Sequence, residues 1–324
     1  MQSVEFYRDR FIAHLEKRIR VKEPVRLYEP ISYILELGGK RLRPVLTLMT
    51  TSLFGGNHEK ALDAALAIEV FHNFSLIHDD IMDAAPLRRG KTTVHEKWDV
   101  NTGILSGDAM LIKAYQFLES YDDSLSRRLF GLFSHTAIQV CEGQQYDMDF
   151  ETSNRVTIAE YLKMIEYKTA VLVAAAMKMG AIIAGTSLEN QNGIYEFGKH
   201  LGIAFQLQDD YLDAFGDADT FGKQVGGDII ENKKTFLYLK ALELASPGAK
   251  KSLQDLYAVQ PDDTLSKVKV VTSIFKESGA AKMTKQEIEA YTQKAYRILE
   301  HLEMPTAAKE VLAQFGKDLM YRQV

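Results

Sequence analysis

Apolar side chains recur at three- and four-residue spacing through residues 60–83, 104–121, 157–185 and 190–215, and these stretches are rich in Ala, Leu, Met and Glu. That period lays one apolar stripe along a helix, and these residue types lose little side-chain freedom in forming one. The proline positions agree. Pro24, Pro30, Pro44 and Pro86 precede a gap that closes only at Pro247, followed by Pro261 and Pro305. Proline removes a helical hydrogen bond and clashes with the preceding turn, so a long proline-free span marks long helices. Breaks are predicted at Gly55-Gly56, at Pro86-Leu87-Arg88-Arg89-Gly90, at Asp122-Asp123-Ser124 and across residues 216–227. No series of short alternating β-branched runs appears at hairpin spacing, so a sheet is not expected. With no low-complexity linker to divide it, the chain reads as one all-α domain over residues 1–324.

Composition narrows the picture. The chain has 324 residues, 46% of them apolar, and a formal net charge of -5. That is enough apolar material for a large core, and the charge points away from nucleic acid as a partner. A single cysteine, Cys141, excludes an intramolecular disulfide framework and fits a reducing compartment. The first twenty residues are charged throughout and lack the apolar centre of a secretory signal. The most apolar stretch, residues 170–184, is short for a bilayer span and carries Lys178. A soluble, cytoplasmic protein without stable membrane insertion is expected.

One pattern occurs twice. Asp79-Asp80-Ile81-Met82-Asp83-Ala84 and Asp209-Asp210-Tyr211-Leu212-Asp213-Ala214 both read DDxxDA, each after an apolar helical run. On a helix, positions i and i+4 share a face, so Asp79 projects with Asp83 and Asp209 with Asp213. Like charges so placed repel, and a solvated helix end would explain one such cluster more readily than two. Rows of hard oxygen ligands suit Mg2+, which takes one or two carboxylates and completes its shell with phosphate oxygens and water.

Cations bracket these acids. Lys40, Arg41 and Arg43 follow Gly38-Gly39; Arg88, Arg89 and Lys91 follow the first cluster; Lys168 sits in a helical run; Lys223, Lys233 and Lys234 follow the second cluster. Guanidinium forks and compact ammonium groups are phosphate ligands. Any one of these groups alone would read as a solvated face. Bracketing the acids, they fit a cavity for two polyanions, one held through metal ions and one directly.

LGGKRLRP, FHNFSLIHDDIMD with RRGK, EYKTA, and FQLQDDYLDAFGD with FGK and ENKKT stand in this order between residues 37 and 235. Together they resemble the trans-isoprenyl (polyprenyl) diphosphate synthases of short-chain type. The resemblance implies a homodimeric bundle of roughly antiparallel helices around a deep central cavity, joining isopentenyl diphosphate to an allylic diphosphate. It implies that Asp79, Asp80, Asp83, Asp209, Asp210 and Asp213 bind Mg2+, about three ions per site. Lys40, Arg43, His72 and Arg89 match the isopentenyl diphosphate site. Arg88, Lys168, Thr169, Gln206, Lys223 and Lys233 match positions that hold the allylic diphosphate, with Gln144 and Asp147 as a supporting polar pair. Glu231 stands where relatives commonly carry Asp, and His72 could otherwise be a core histidine satisfied by a carbonyl.

Product length is expected to depend on the helix before Asp79. Phe74 lies five residues earlier, about 7.5 Å along the axis, with Ser75 beside it and Phe71 a turn beyond. Phe71 reads as core packing. A bulky residue at Phe74 resembles short-chain synthases, which implies farnesyl or geranylgeranyl diphosphate. Three rivals stand against this reading. A class I terpene cyclase shares the fold but has no use for residues 38–44. A metal-dependent phosphohydrolase, suggested by His58, His72, His78 and His95, needs several imidazoles at one metal. A non-catalytic subunit would lose acidic or basic motifs that this chain keeps.

Overall fold

The structure is a computed structural model, described here for residues 2–153, 155–216, 226–259 and 263–320. Its helices are α1 (Val4–Arg18), α2 (Val25–Glu36), α3 (Leu42–Leu53), α4 (Leu62–Met82), α5 (Val94–Lys97), α6 (Val100–Leu118), α7 (Asp123–Thr152), α8 (Ile158–Ile165), α9 (Val171–Ala184) and α10 (Leu188–Phe215). They continue with α11 (Gly227–Ile230), α12 (Phe236–Leu244), α13 (Pro247–Tyr257), α14 (Thr264–Glu277), α15 (Ala280–His301) and α16 (Thr306–Met320). A π-helical turn, Glu166–Ala170, joins α8 to α9. The all-α expectation holds.

Helix starts follow local chemistry. Asp99 accepts from the Thr102 N–H and opens α6 four residues earlier than its apolar stripe alone indicated. Thr157 and Glu160 form a reciprocal capping box on α8. Pro247 stands in the first turn of α13, where its missing N–H costs nothing.

Two sequence expectations need correction. A short antiparallel ladder exists: β1 (Leu87–Arg88) pairs with β2 (Lys91–Thr92), Arg88 opposite Lys91. Its two-residue turn, Arg89-Gly90, has φ of 53° and 73°, the left-handed pair that matches strand twist in tight hairpins. Such a ladder is too short to leave an alternating signal. The most apolar stretch, residues 170–184, is also part of a longer helix than its composition indicated. The helical run Ile158–Ala184, continuous through the π turn, is long and apolar enough to cross one by length and composition. Most of its apolar window is buried within the protein, as in the core helix of a soluble chain.

The chain divides into two compact units, Met1–Thr136 with Ala175–Tyr195, and Ala137–Ala174 with Glu196–Val324. In the first, α4 is buried on nearly every side, through Leu62, Ala64–Ile68, Val70, Phe71, Phe74 and Ile77. A helix that is apolar all round belongs in a core. α4 packs most extensively on α6, where Gly103 and Gly107 admit it: a Cβ on Gly107 would stand 2.3 Å from His78 Nε2. In the second unit the π turn lies against α7, and a Cβ on Gly143 would meet the Lys168 backbone nitrogen at 2.2 Å. The last turn of α7 is capped by Lys234, whose ammonium donates to the Phe150 and Glu151 carbonyls at 2.5 and 3.0 Å. A cation there also meets the negative end of the helix dipole.

Candidate active site

In the first unit α4 delivers the DDxxD residues at its C-terminus. Asp79 and Asp80 lie in its last turn and Asp83 is the C-cap. Asp80 is 1% exposed; Asp83 faces solvent. The hairpin brings Arg88 to Asp80, whose Oδ1 accepts from Nε at 2.9 Å and also from Nη2. Asp80 Oδ2 is buried and, among the described residues, has no hydrogen-bond partner. Burial raises the Asp80 pKa despite the opposing Arg88 charge.

The cations cluster beside it. Arg43 Nη1 lies 3.2 Å from His72 Nε2, and Arg43 Nε is buried without a partner among the described residues. Arg89 donates to the Gly38 carbonyl and lies flat against Gly39, where a Cβ would stand 2.7 Å from its Cζ. That contact, and a φ of 117°, explain the glycine. Burial, then Arg43 and the other nearby arginines, hold the His72 pKa well below the ordinary imidazole value, so the ring is neutral. Arg41 is different. It turns inward, 6% exposed, to pair with Glu69 at 2.5 Å and to donate to the Leu35 carbonyl. Glu69 is thus the buried counter-charge of the cluster, a role the sequence did not disclose. Lys40, next to Gly39, is exposed.

Phe74 is 8% exposed and touches Phe71 and His78, with ring centroids 5.5 and 4.8 Å away. Phe71 also packs on Phe133, as its core reading expects. The Ser75 hydroxyl donates to the His72 carbonyl at 2.8 Å.

In the second unit α10 carries Gln206, Asp209, Asp210 and Asp213. Asp210 is 7% exposed, receives the Tyr161 hydroxyl on Oδ2, and receives the Gln206 amide on Oδ1 at 2.9 Å. Burial and then the Asp228 charge raise its pKa well above the carboxylate range. Thr169 donates to the Gln206 carbonyl oxygen at 3.3 Å, and Lys168 pairs with Asp147 at 2.6 Å. Both Lys168 and Thr169 sit in the π turn, a feature frequent at functional sites. Lys233 faces Glu231 at 2.9 Å and Asp228 at 3.8 Å; burial pulls its pKa down, but these carboxylates raise it overall. Asp213 Oδ2 accepts from the Asp228 N–H at 3.0 Å. Lys223 lies outside the described residues.

The structure therefore assembles Arg43, His72, Arg88, Arg89 and the first acids in one unit, and Lys168, Thr169, Gln206, Lys233 and the second acids in the other. Sequence reasoning missed Tyr161 and Asp228. Tyr161 gave no signal beyond its place on the apolar face of α8, while Asp228 stood in a visibly charged segment.

The donor set suits Mg2+ shared with a diphosphate. Among the described residues no three His, Cys, Asp or Glu side chains gather into a preformed metal cage. An ion that takes one or two carboxylates and fills its shell with phosphate oxygens needs none. The buried, unpartnered Asp80 Oδ2 is the kind of acceptor it would satisfy.

A polyprenyl synthetase family profile matches residues 24–275. The chain belongs to that family. It is 42% identical over 233 residues to a geranylgeranyl diphosphate synthase of Methanosarcina mazei, covering 71% of this chain and 72% of that one. A short chain isoprenyl diphosphate synthase of Methanothermobacter thermautotrophicus is 36% identical, over 93% and 91%. The fold matches a crystal structure of geranylgeranyl pyrophosphate synthase with a TM-score of 0.96 and 52% identity over the full length of both. The chain is an isoprenyl diphosphate synthase, and the cyclase rival yields to that finding.

Proposed function

We propose that the chain condenses isopentenyl diphosphate with an allylic diphosphate to give geranylgeranyl diphosphate. The observation that carries this is the arginine cluster. Among the described residues Glu69 answers the charge of Arg43, and Glu69 with Asp80 that of Arg89, beside a neutral His72; two carboxylates leave this cluster of arginines with donors to spare, and a second polyanion would supply acceptors for them. The neighbours' names supply the chain length: a structure matched over its full length at 52% identity is a geranylgeranyl pyrophosphate synthase, so C20 is taken over C15.

Mg2+ bound at the aspartates would neutralise charge growing on the departing diphosphate. Arg88 in the first unit and Lys168 and Lys233 in the second are the residues that the family resemblance assigns to the allylic diphosphate, where fixed positive charge would answer the charge the transition state develops. Gln206 and Thr169 orient the Asp210 carboxylate. Lys40, Arg43 and Arg89 hold isopentenyl diphosphate so that its double bond meets the allylic cation. Loss of a proton from the adduct completes the new double bond, and the released diphosphate is the acceptor in this scheme.

A homodimer in the cytoplasm fits this reading. α6 exposes Ile104, Leu105 and Ile112, which a second copy would cover, and the lone Cys141 suits a reducing compartment.

The purified chain, given isopentenyl diphosphate, Mg2+ and dimethylallyl, geranyl or farnesyl diphosphate in turn, should yield mainly a C20 product by chromatography. Consumption of an allylic diphosphate without isopentenyl diphosphate would instead indicate a cyclase. Phe74→Ala should shift products at least one isoprene unit longer. An unchanged distribution would remove Phe74 from the floor of the tail site.

A further inference from the structure

Lys267, in the first turn of α14, is 2% exposed. Withdrawing an ammonium from water is costly unless it is well satisfied. Here Nζ donates to Asn232 Oδ1 at 2.5 Å and to the Val259 carbonyl at 3.3 Å, with the Tyr257 ring centroid 5.6 Å away. Among the described residues no carboxylate pairs with it, and burial draws its pKa down. A methionine of similar length would fill this space without the desolvation cost. What it would lack is the grip on Asn232.

Asn232 has a φ of 60°, a left-handed backbone that a non-glycine residue adopts at some cost. It immediately precedes Lys233. The same turn of α14 touches the other end of this segment, where a Cβ on Gly226 would stand 2.6 Å from Val268 Cγ1. Between these two anchors Asp228 donates its N–H to Asp213, and Lys233 faces Asp228 and Glu231. Residues 226–235 are therefore fastened to α14 at both ends and to the second acidic cluster in the middle.

We propose that Lys267 is a positioning residue: through the Asn232 amide it fixes the left-handed turn that sets Lys233 for the allylic diphosphate. This rests on the diphosphate-binding role given to Lys233 above. The ammonium is retained because it holds the side-chain oxygen of Asn232, and the volume it fills is incidental.

The test is steady-state kinetics with Lys267→Met, Asn232→Gly and the double variant, varying each substrate at saturating Mg2+. A wild type inert with every starter defeats the parent reading and this one with it. Given an active wild type, Lys267→Met should raise the KM for the allylic diphosphate about tenfold and leave that for isopentenyl diphosphate within about twofold. Asn232→Gly keeps the left-handed turn accessible but removes the held oxygen, so it should raise the same KM. Adding Lys267→Met to it should then change little, because the two act as one unit. A lower melting temperature with both KM values unchanged makes Lys267 a packing residue only and overturns the proposal. So do equal rises in both KM values, or fully additive effects in the double variant. If Lys267→Met does not fold, Asn232→Gly decides alone: an unchanged allylic KM refutes the idea.

Discussion

The two DDxxDA segments share a pattern and differ in what answers their charge. Asp80 meets a guanidinium, Arg88, brought to it by the hairpin. Among the described residues Asp210 meets neutral donors, Tyr161 and Gln206, while Asp228 adds like charge nearby. Both carboxylates are buried. The first cluster therefore carries part of its compensation within the chain. For the second, the groups that answer Asp210 among the described residues are neutral, and burial with the Asp228 charge pushes its pKa up. A repeated motif, then, specifies ligands but not the electrostatic setting in which they work.

Four predictions probe this difference and its surroundings, from the largest effect to the smallest. Asp79→Ala and Asp209→Ala should each cut condensation by about 10²–10³ at saturating Mg2+, despite their unlike surroundings. Near-normal turnover in either variant would confine the metal chemistry to one cluster. Arg88→Leu strips a buried carboxylate of its cation and should lower stability by about 3 kcal/mol, read from denaturant midpoints. Tyr161→Phe removes one neutral donor from Asp210 and should cost about 1–2 kcal/mol. If Tyr161→Phe proved the more damaging, the assignment of compensation to Arg88 would be wrong. Arg89→Ala should raise the KM for isopentenyl diphosphate by about tenfold, and more than that for the allylic partner. The opposite ordering would move Arg89 to the other diphosphate.

The helices were legible because apolar spacing and the absence of proline both report helix directly. Residues 190–215 read as helical and the structure gives Leu188–Phe215. The π turn was not, because EYKTA has ordinary helical composition; what distinguishes it is a tertiary contact, Gly143 of α7 closing on the Lys168 backbone. The cations of the Gly-Gly segment were legible as a group but not in their division of labour. Only folding reveals that Arg41, with a φ of 51°, turns inward to Glu69 while Arg43 stays beside His72. Lys234 likewise looked like a substrate cation and is spent on the end of α7. Chemistry shared between residues distant in sequence, such as Tyr161 with Asp210, leaves no local trace.

The central claim is that the carboxylates hold Mg2+ chiefly in company with a diphosphate. Calorimetric titration of Mg2+ into the protein, with and without inorganic diphosphate, tests it most directly. Binding should be weak alone, strengthen markedly when diphosphate is present, and lose that gain in both Asp79→Ala and Asp209→Ala. Tight binding of Mg2+ without diphosphate, or diphosphate binding indifferent to the metal, would contradict it.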